Sequence, residues 1–435
     1  MEVILNEKQT KAKDLIVSWF NNEKNKKQCF VLTGYAGTGK TFLVSYVVNE
    51  VLRLNSDEVA YVAPTGKAAC VLIQKGCYSA TTIHKLIYNT VEKEFETELN
   101  GKKIKSKRTV FVRKPSIKNY KLIIVDETSM VEKKIMEDLL SFGIPLLCCG
   151  DLGQLPPINS SNDILKHPDI NLTEIVRQEE NNTIIKFATM ARNGIPFNTG
   201  NYGDVIVVRK EMLKENQLKN ILTQCDQILC GTNKTARDIN QKMKEWFNFK
   251  TDQLNIGEKV ICLMNNWAVY IDEDEKYSLV NGTTGYVMGN KMINEKDCLG
   301  MMDFKADISD DTCKGLLYDS QVFDTGEFKY NFHQDVCVMG DGTYQVKKNF
   351  SNKGAGESYE DFTKRMRELT LQKKDTIFTT EINFFNTAYC ISVHKSQGSE
   401  YDNVVLFDEK KYFTDPEKWL YTGITRAKKK IIIIQ

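Results

Sequence analysis

The stretch QCFVLTGYAGTGKTFLVSYVVNEVLRL, residues 28–54, decides how the rest of the chain is read. It opens as an apolar, strand-like run, closes as a helical pattern, and carries GYAGTGKT, Gly34 to Thr41, between them. A glycine-rich turn that leaves a strand and opens a helix is the context in which G-x-x-x-x-G-K-T holds phosphate. Glycines let backbone N–H groups turn inward on the phosphates, and the helix N-terminus adds positive potential. Lys40 then reaches the terminal phosphates and Thr41 is placed to ligate Mg²⁺. ATP with Mg²⁺ is therefore expected at Gly34, Gly37, Thr38, Gly39, Lys40 and Thr41.

Working outward, strand-like and helix-like runs alternate: EVAYVA then GKAACVLIQ, KLIIVD then VEKKIMEDLL, and PLLCCG. This alternation means a parallel sheet with crossover helices. A second series begins near Asp226 with DQILCG and NKTARDINQKMKEW and resumes at TAYCIS, NVVLF and IIIIQ. The fold class is thus α/β with two domains, each interrupted by an insertion. Between Tyr88 and Tyr120 the rhythm breaks, and Asn100-Gly101 is the dipeptide that best suits a two-residue hairpin turn. From about Trp267 to Asp375 the chain is Gly- and Asp-punctuated with short β-like runs such as TTGYVM and DVCVMG, the pattern of a small β-barrel.

KLIIVDETSM supplies the partner of the phosphate loop. Four apolar residues deliver Asp126 and Glu127 at the carboxyl end of a buried strand, where ligands bind in open α/β sheets. Asp126 suits a metal-bound water, and Glu127 suits a base for the attacking water. Phosphoryl transfer also needs positive charge on the γ-phosphate, and an arginine brought from a neighbouring surface is worth roughly 10³ to 10⁵ in rate. Arg426, in the closing YTGITRAKKKIIIIQ, sits at a strand-proximal turn from which it can enter that cleft.

With 435 residues the chain exceeds the ~250–300 at which single cores stop growing. Its 59 Lys and Arg stand against 57 Asp and Glu, so any nucleic-acid partner must be met by local clusters of charge. The twelve cysteines include no C-x-x-C pair; Cys29, Cys148, Cys149, Cys230, Cys262 and Cys390 fall in apolar runs and read as buried thiols of a reducing compartment. No signal-like start and no membrane-length apolar run is present, so a cytoplasmic protein without membrane contact is expected, and the Asn, Lys and Ile content suits a bacterium or phage-infected host.

Taken together these motifs resemble the superfamily 1 DNA helicases of the RecD-like and phage Dda-like group. Further matches are LNEKQ (5–9), APTGKAA (63–69), TTIHK (81–85), GDLGQLPPI (150–158), LTEIVRQ (172–178), SVHKSQGSEYDNVV (392–405) and LYTGITRAKKK (420–430). The resemblance implies two RecA-like, P-loop NTPase domains: a first motor domain at 1–87 and 119–178 and a second at 179–266 and 376–435. A β-hairpin pin is implied at 88–118 and an SH3-like β insertion at 267–375. Gln9 is implied to read adenine, Gln154 to sense the γ-phosphate, and Arg177 and Arg426 to contact it. Asp151 is implied to support the metal site, Gln397 and Gly398 to approach the phosphates, and Glu400 the ribose. Pro64, Thr65, Thr82, His84, Ser392 and His394 are implied to contact DNA. Gly66 departs from relatives that carry a DNA-touching side chain there.

From Gly101 to Lys121 basic residues meet no acidic one, which reads as a basic wedge; Phe95, Phe111 or Tyr88 would stack on the last base pair. The implied activity is ATP-driven 5′→3′ translocation and unwinding by a monomer. Its partners are single-stranded and forked DNA, with replication, repair or recombination proteins as candidates. A loader or switch ATPase, or a RecD-type subunit of a nuclease complex, are the alternatives, and the residues leave RNA open as the strand.

Overall fold

The computed structural model describes residues 4–22, 27–77, 79–99, 102–156, 163–174, 182–250, 253–294, 299–319, 336–338, 344–346, 378–379 and 383–435. The chain divides into two compact units: one of Met1–Ile87, Lys114–Met243 and Tyr389–Gln435, the other of Tyr88–Arg113 and Lys244–Ala388.

The first unit holds two six-stranded sheets. Across the first, the strands run in the order Thr81–Thr82, Val59–Ala63, Leu122–Val125, Leu146–Gly150, Cys29–Gly34 and Ile170–Leu172, with every neighbouring pair parallel. Helices cover both faces of such a sheet, so its strands are apolar on both sides instead of alternating. Leu122, Ile123, Ile124 and Val125 are all buried for this reason. Val125 pairs with Cys148 and Thr33 with Gly150, so the glycine-rich loop, Asp126 and Asp151 leave the sheet side by side at its carboxyl edge.

The second sheet runs Cys390–Ser392, Gln227–Cys230, Tyr401–Phe407, Ala427–Ile434, Val205–Val208 and Gly200–Asn201, parallel except for the last pair. The closing IIII run is thus an interior strand, with Ile431, Ile433 and Ile434 buried. The six cysteines singled out from the sequence are buried, unbridged thiols. Among the described residues no helix is long and apolar enough to cross a membrane.

In the second unit, Tyr88–Leu99 and Lys102–Arg113 pair antiparallel in unbroken register. Leu99 faces Lys102, which leaves two residues for the connection; Asn100 and Gly101 themselves lie outside the described residues. The register sets Glu94, Glu96 and Glu98 opposite Lys107, Lys105 and Lys103. The basic run of 102–113 is thus paired in register with a strand that carries four Glu. Over Tyr88–Arg113 seven Lys and Arg stand against four Glu, a modest basic excess.

A five-stranded antiparallel sheet, in the order Cys313–Asp319, Leu299–Ala306, Thr284–Asn294, Lys259–Cys262 and Phe385–Thr387, builds the rest of this unit. Its core gathers Val260, Val287, Met302, Phe304, Tyr318 and Phe385. A bridge between Tyr318 and Asn383 brings the two edges of the sheet together. Gly300 has no alternative here, because a Cβ would lie 2.3 Å from the Tyr318 ring. The unit is wider than the 267–375 read from composition, because Lys259–Cys262 and Phe385–Thr387 pair with each other across more than a hundred residues of sequence. The basic segment near Lys364 to Lys374 lies outside the described residues.

Glu258, fully buried, accepts from Lys244 Nζ at 3.2 Å and from Thr387 Oγ1 at 2.6 Å. Removing one partner of a buried pair leaves a charge uncompensated, at a cost of about 3 to 5 kcal/mol. Lys244→Met is expected to lower stability by about 3 kcal/mol, read by chemical denaturation; an unchanged midpoint would show that the pair contributes nothing.

Candidate active site

The glycine-rich loop is shaped by residues that only glycine satisfies. Gly37 and Gly39 have φ of +77° and +76°, and a Cβ on Gly34 would lie 2.7 Å from Thr38 Oγ1. The helix Lys40–Tyr46 starts at Lys40, whose Nζ donates to the carbonyls of Gly34 at 2.7 Å and Tyr35 at 2.9 Å. Thr38 is buried and donates to Tyr35 O, while Thr41 lines the cleft. Gln9 caps the first helix: its Oε1 accepts from Asn6 N–H, and its Nε2 donates to Thr38 O at 3.2 Å. The residue expected at the adenine thus already braces the loop from behind.

Asp126 and Glu127 form the floor. Glu127 has φ +49° and ψ +41°, a left-handed conformation that is uncommon for a residue with a side chain and clusters at functional sites. Both carboxyls retain some solvent exposure yet are ringed by protein. Burial raises Asp126, and burial together with the charge of Asp126 pushes Glu127 up to about 7, with Arg426 and Lys40 pulling it back. Two crowded carboxyls of this kind suit a cation between them and a phosphate.

The C-terminal α/β half builds the opposite wall. Glu400, Gly398, Thr425 and Arg426 line the same cleft as Lys40, Thr41, Asp126, Glu127, Asp151 and Gln154. Arg426, 4% exposed, is held by its own neighbourhood. Its Nε donates to Thr422 O, and its two terminal nitrogens donate to Ser399 O and Thr425 Oγ1, each at 3.1–3.2 Å. Gln154 is buried, and its Oε1 has no partner among the described residues. Gln397 donates from Nε2 to Leu155 O at 3.2 Å, so its amide grips the loop after Asp151. Gly398, at φ +72°, packs on Ala68. Arg177 lies outside the described residues.

The donor set fits a magnesium nucleotide: a lysine and the glycine-rich loop for phosphate, a threonine hydroxyl and Asp126 for the ion, and an orphaned Gln154 oxygen lining the same cleft. Among the described residues no group of three or more His, Cys, Asp and Glu converges on a metal.

Residues 5–204 match the model of an AAA domain, and residues 387–434 that of a UvrD-like helicase C-terminal domain. The ATP-dependent DNA helicase dda of Enterobacteria phage T4 is 21% identical over 93% of this chain and 94% of its own length. The ATP-dependent DNA helicase PIF1 of Candida albicans is 24% identical over 97% of this chain but 55% of its own length. The crystal structure of Bacteroides Pif1 bound to ssDNA superimposes with a TM-score of 0.52 at 17% identity, over 100% of this chain and 93% of that one. The chain is similar along most of its length to the Dda, Pif1 and RecD helicases. Its two sheets are the two RecA-like domains of that fold. It spans 37% of one longer relative, an uncharacterized protein of Methanocaldococcus jannaschii, and 55% of the Candida helicase.

Four of the residues that the helicase resemblance assigns to DNA share one placement. Pro64 and Thr65 follow the strand Val59–Ala63, Thr82 ends Thr81–Thr82, and Ser392 ends Cys390–Ser392. Three hydroxyls among them cap helical turns: Thr65 Oγ1 accepts from Ala68 N–H, Thr82 Oγ1 from Lys85 N–H and Ser392 Oγ from Lys395 N–H. Each can still donate its own hydrogen. His84 and His394 are half-buried, and burial lowers both; His394 packs against Phe413. Phe95 lies opposite Ser106 in the hairpin. Tyr88 and Phe111 sit at the hairpin base with ring centroids 6.2 Å apart, and Phe111 is 62% exposed.

Sequence reading missed Lys75, which lines the cleft and draws Asp126 downward, and Arg192, whose guanidinium lies 3.4 Å from the centre of the Tyr35 ring. It also missed Tyr421, buried between the glycine-rich loop and Asp151. No local pattern separates Tyr421 from a core aromatic.

Proposed function

We propose that this chain is an ATP-driven motor that moves 5′→3′ along single-stranded DNA and separates duplex DNA ahead of it. The observation that carries the reading is the shared cleft: Lys40 and Glu127 from one α/β half face Arg426 from the other. A site completed by two halves ties their approach to the state of the nucleotide, and alternating closure moves a strand held by both. Mg²⁺, when bound, neutralises phosphate charge. Thr41 and Asp126 hold it, Lys40 binds the terminal phosphates, Glu127 takes a proton from the attacking water, and Gln154 orients at the reacting end. The capped turns at Thr65, Thr82 and Ser392 offer hydroxyls and N–H groups to DNA phosphates, contacts indifferent to sequence. Polarity rests on the helicase resemblance.

Matched 5′-tailed, 3′-tailed and forked duplexes test the proposal. Unwinding is expected from the 5′ tail and the fork; unwinding from the 3′ tail alone would overturn the polarity. The modest basic excess of the hairpin sequence, seven Lys and Arg against four Glu, favours a second reading, a DNA-stimulated ATPase that loads or switches without separating strands. Replacing residues 91–114 by a short turn is expected to abolish strand displacement and keep the DNA-stimulated ATPase. Unwinding that survives the replacement would remove the hairpin from the mechanism.

A further inference from the structure

The helix Pro416–Ile424 does more than lead to Arg426. Tyr421, 1% exposed, places its hydroxyl between two parts of the first α/β half. It accepts from Ala36 N–H of the glycine-rich loop at 2.8 Å and donates to Asp151 Oδ2 at 2.6 Å. The other carboxylate oxygen of Asp151 accepts from Gly153 N–H at 2.8 Å. The Tyr421 ring lies so close over Gly153 that a Cβ there would sit 2.9 Å from it. One residue on, Thr422 Oγ1 accepts from Leu155 N–H at 3.0 Å. The same helix then fixes the arginine: Thr425 N–H donates to Tyr421 O, Thr425 Oγ1 accepts from Arg426, and Arg426 Nε donates to Thr422 O.

We propose that Tyr421 is a positioning residue whose hydroxyl registers the helix carrying Arg426 against the glycine-rich loop and the Asp151–Leu155 loop at once. The inference rests on the reading that this cleft hydrolyses ATP. Burial, and then the neighbouring Asp151 carboxylate, raise the Tyr421 phenol, so it stays a neutral donor throughout the working range of pH. A hydrogen bond to a buried carboxylate is among the stronger ones available to a side chain, and its loss frees both the loop and the helix. The chain of contacts ends on a guanidinium, and a displacement of about 1 Å there is enough to cost a large factor in rate. Tyr421 therefore acts on hydrolysis through Arg426 and makes no contact of its own with the reacting atoms.

The test is a double-mutant cycle on the full chain, with turnover normalised to nucleotide-binding sites. Tyr421→Phe keeps the ring over Gly153 and removes the hydroxyl. It is expected to lower kcat for DNA-stimulated ATP hydrolysis about tenfold, the rate equivalent of one such bond, with KM for ATP within about twofold. In an Arg426→Ala background the same change is expected to cost less than about twofold, because the group it positions is gone. A merely structural role would lower turnover equally in both backgrounds, and that result would overturn the proposal. If Tyr421→Phe does not fold, Thr422→Val answers in its place: it removes the acceptor for Leu155 N–H on the same helix and should show the same dependence on Arg426. An unaltered chain that hydrolyses no ATP would sink the proposed function; hydrolysis with fully additive losses would sink this inference alone.

Discussion

Arg426→Ala is expected to lower the turnover of DNA-stimulated ATP hydrolysis by about 10³-fold or more, while affinity for the magnesium nucleotide stays within a few fold. The guanidinium lines the cleft that holds Lys40 and Glu127, and its charge pulls the Glu127 carboxyl downward. It contributes where charge develops on the transferring phosphoryl group, so its loss falls on kcat more than on binding. Truncation also leaves Ser399 O without its guanidinium donor in a buried setting, at about 1 to 3 kcal/mol, while Thr422 O keeps the bond from Thr425 Oγ1 at 3.0 Å. The melting temperature of the variant must accompany the kinetics. Arg426→Lys keeps a charge but loses the planar fork that those carbonyls hold, and should recover little of the rate. Steady-state phosphate release and fluorescent-nucleotide binding separate the two effects.

Glu127→Gln is expected to reduce turnover by about 10² to 10⁴-fold and to leave binding of ATP and DNA intact. The pH dependence gives this prediction a sign. Glu127 must be ionised to take a proton, and its carboxyl is pushed up to about 7. For the unaltered chain, kcat/KM should climb as pH rises through about 7, and the residual rate of Glu127→Gln should not follow that curve. Stability runs the other way. A carboxyl raised above its unfolded value of 4.5 holds its proton longer in the folded state, so it stabilises the fold at low pH and that contribution fades as pH climbs toward 7. Glu127→Gln should therefore melt above the unaltered protein at pH 8, with the gap closing toward pH 5. A flat rate profile together with a constant gap would place the base elsewhere.

The parts of the site that the sequence made legible are those fixed by local geometry. GYAGTGKT needs left-handed glycines at Gly37 and Gly39 whatever surrounds it, and LIIV can deliver Asp126 and Glu127 only to the carboxyl edge of a buried strand. The left-handed backbone of Glu127 had no such signal, since nothing in DET forbids an ordinary turn. Tyr421 was hidden for a different reason. An aromatic on an apolar helix reads as core, and only the fold sets its hydroxyl between Ala36 N–H and Asp151. The acidic content of the hairpin was within reach: pairing Leu99 with Lys102 sets Glu94 opposite Lys107, and reading one strand without its partner concealed it. The edges of the second unit were not, because the pairing of Lys259–Cys262 with Phe385–Thr387 joins segments with no local mark of their relation.

One cleft completed by an arginine from the far end of the chain is the claim on which the rest depends. The most direct measurement is single-turnover phosphate release from ATP by the unaltered chain and by Arg426→Ala, each with and without single-stranded DNA. DNA should accelerate the chemical step of the unaltered chain and leave the variant at its slow basal rate despite bound nucleotide. Equal DNA-accelerated rates in the two proteins would contradict the account.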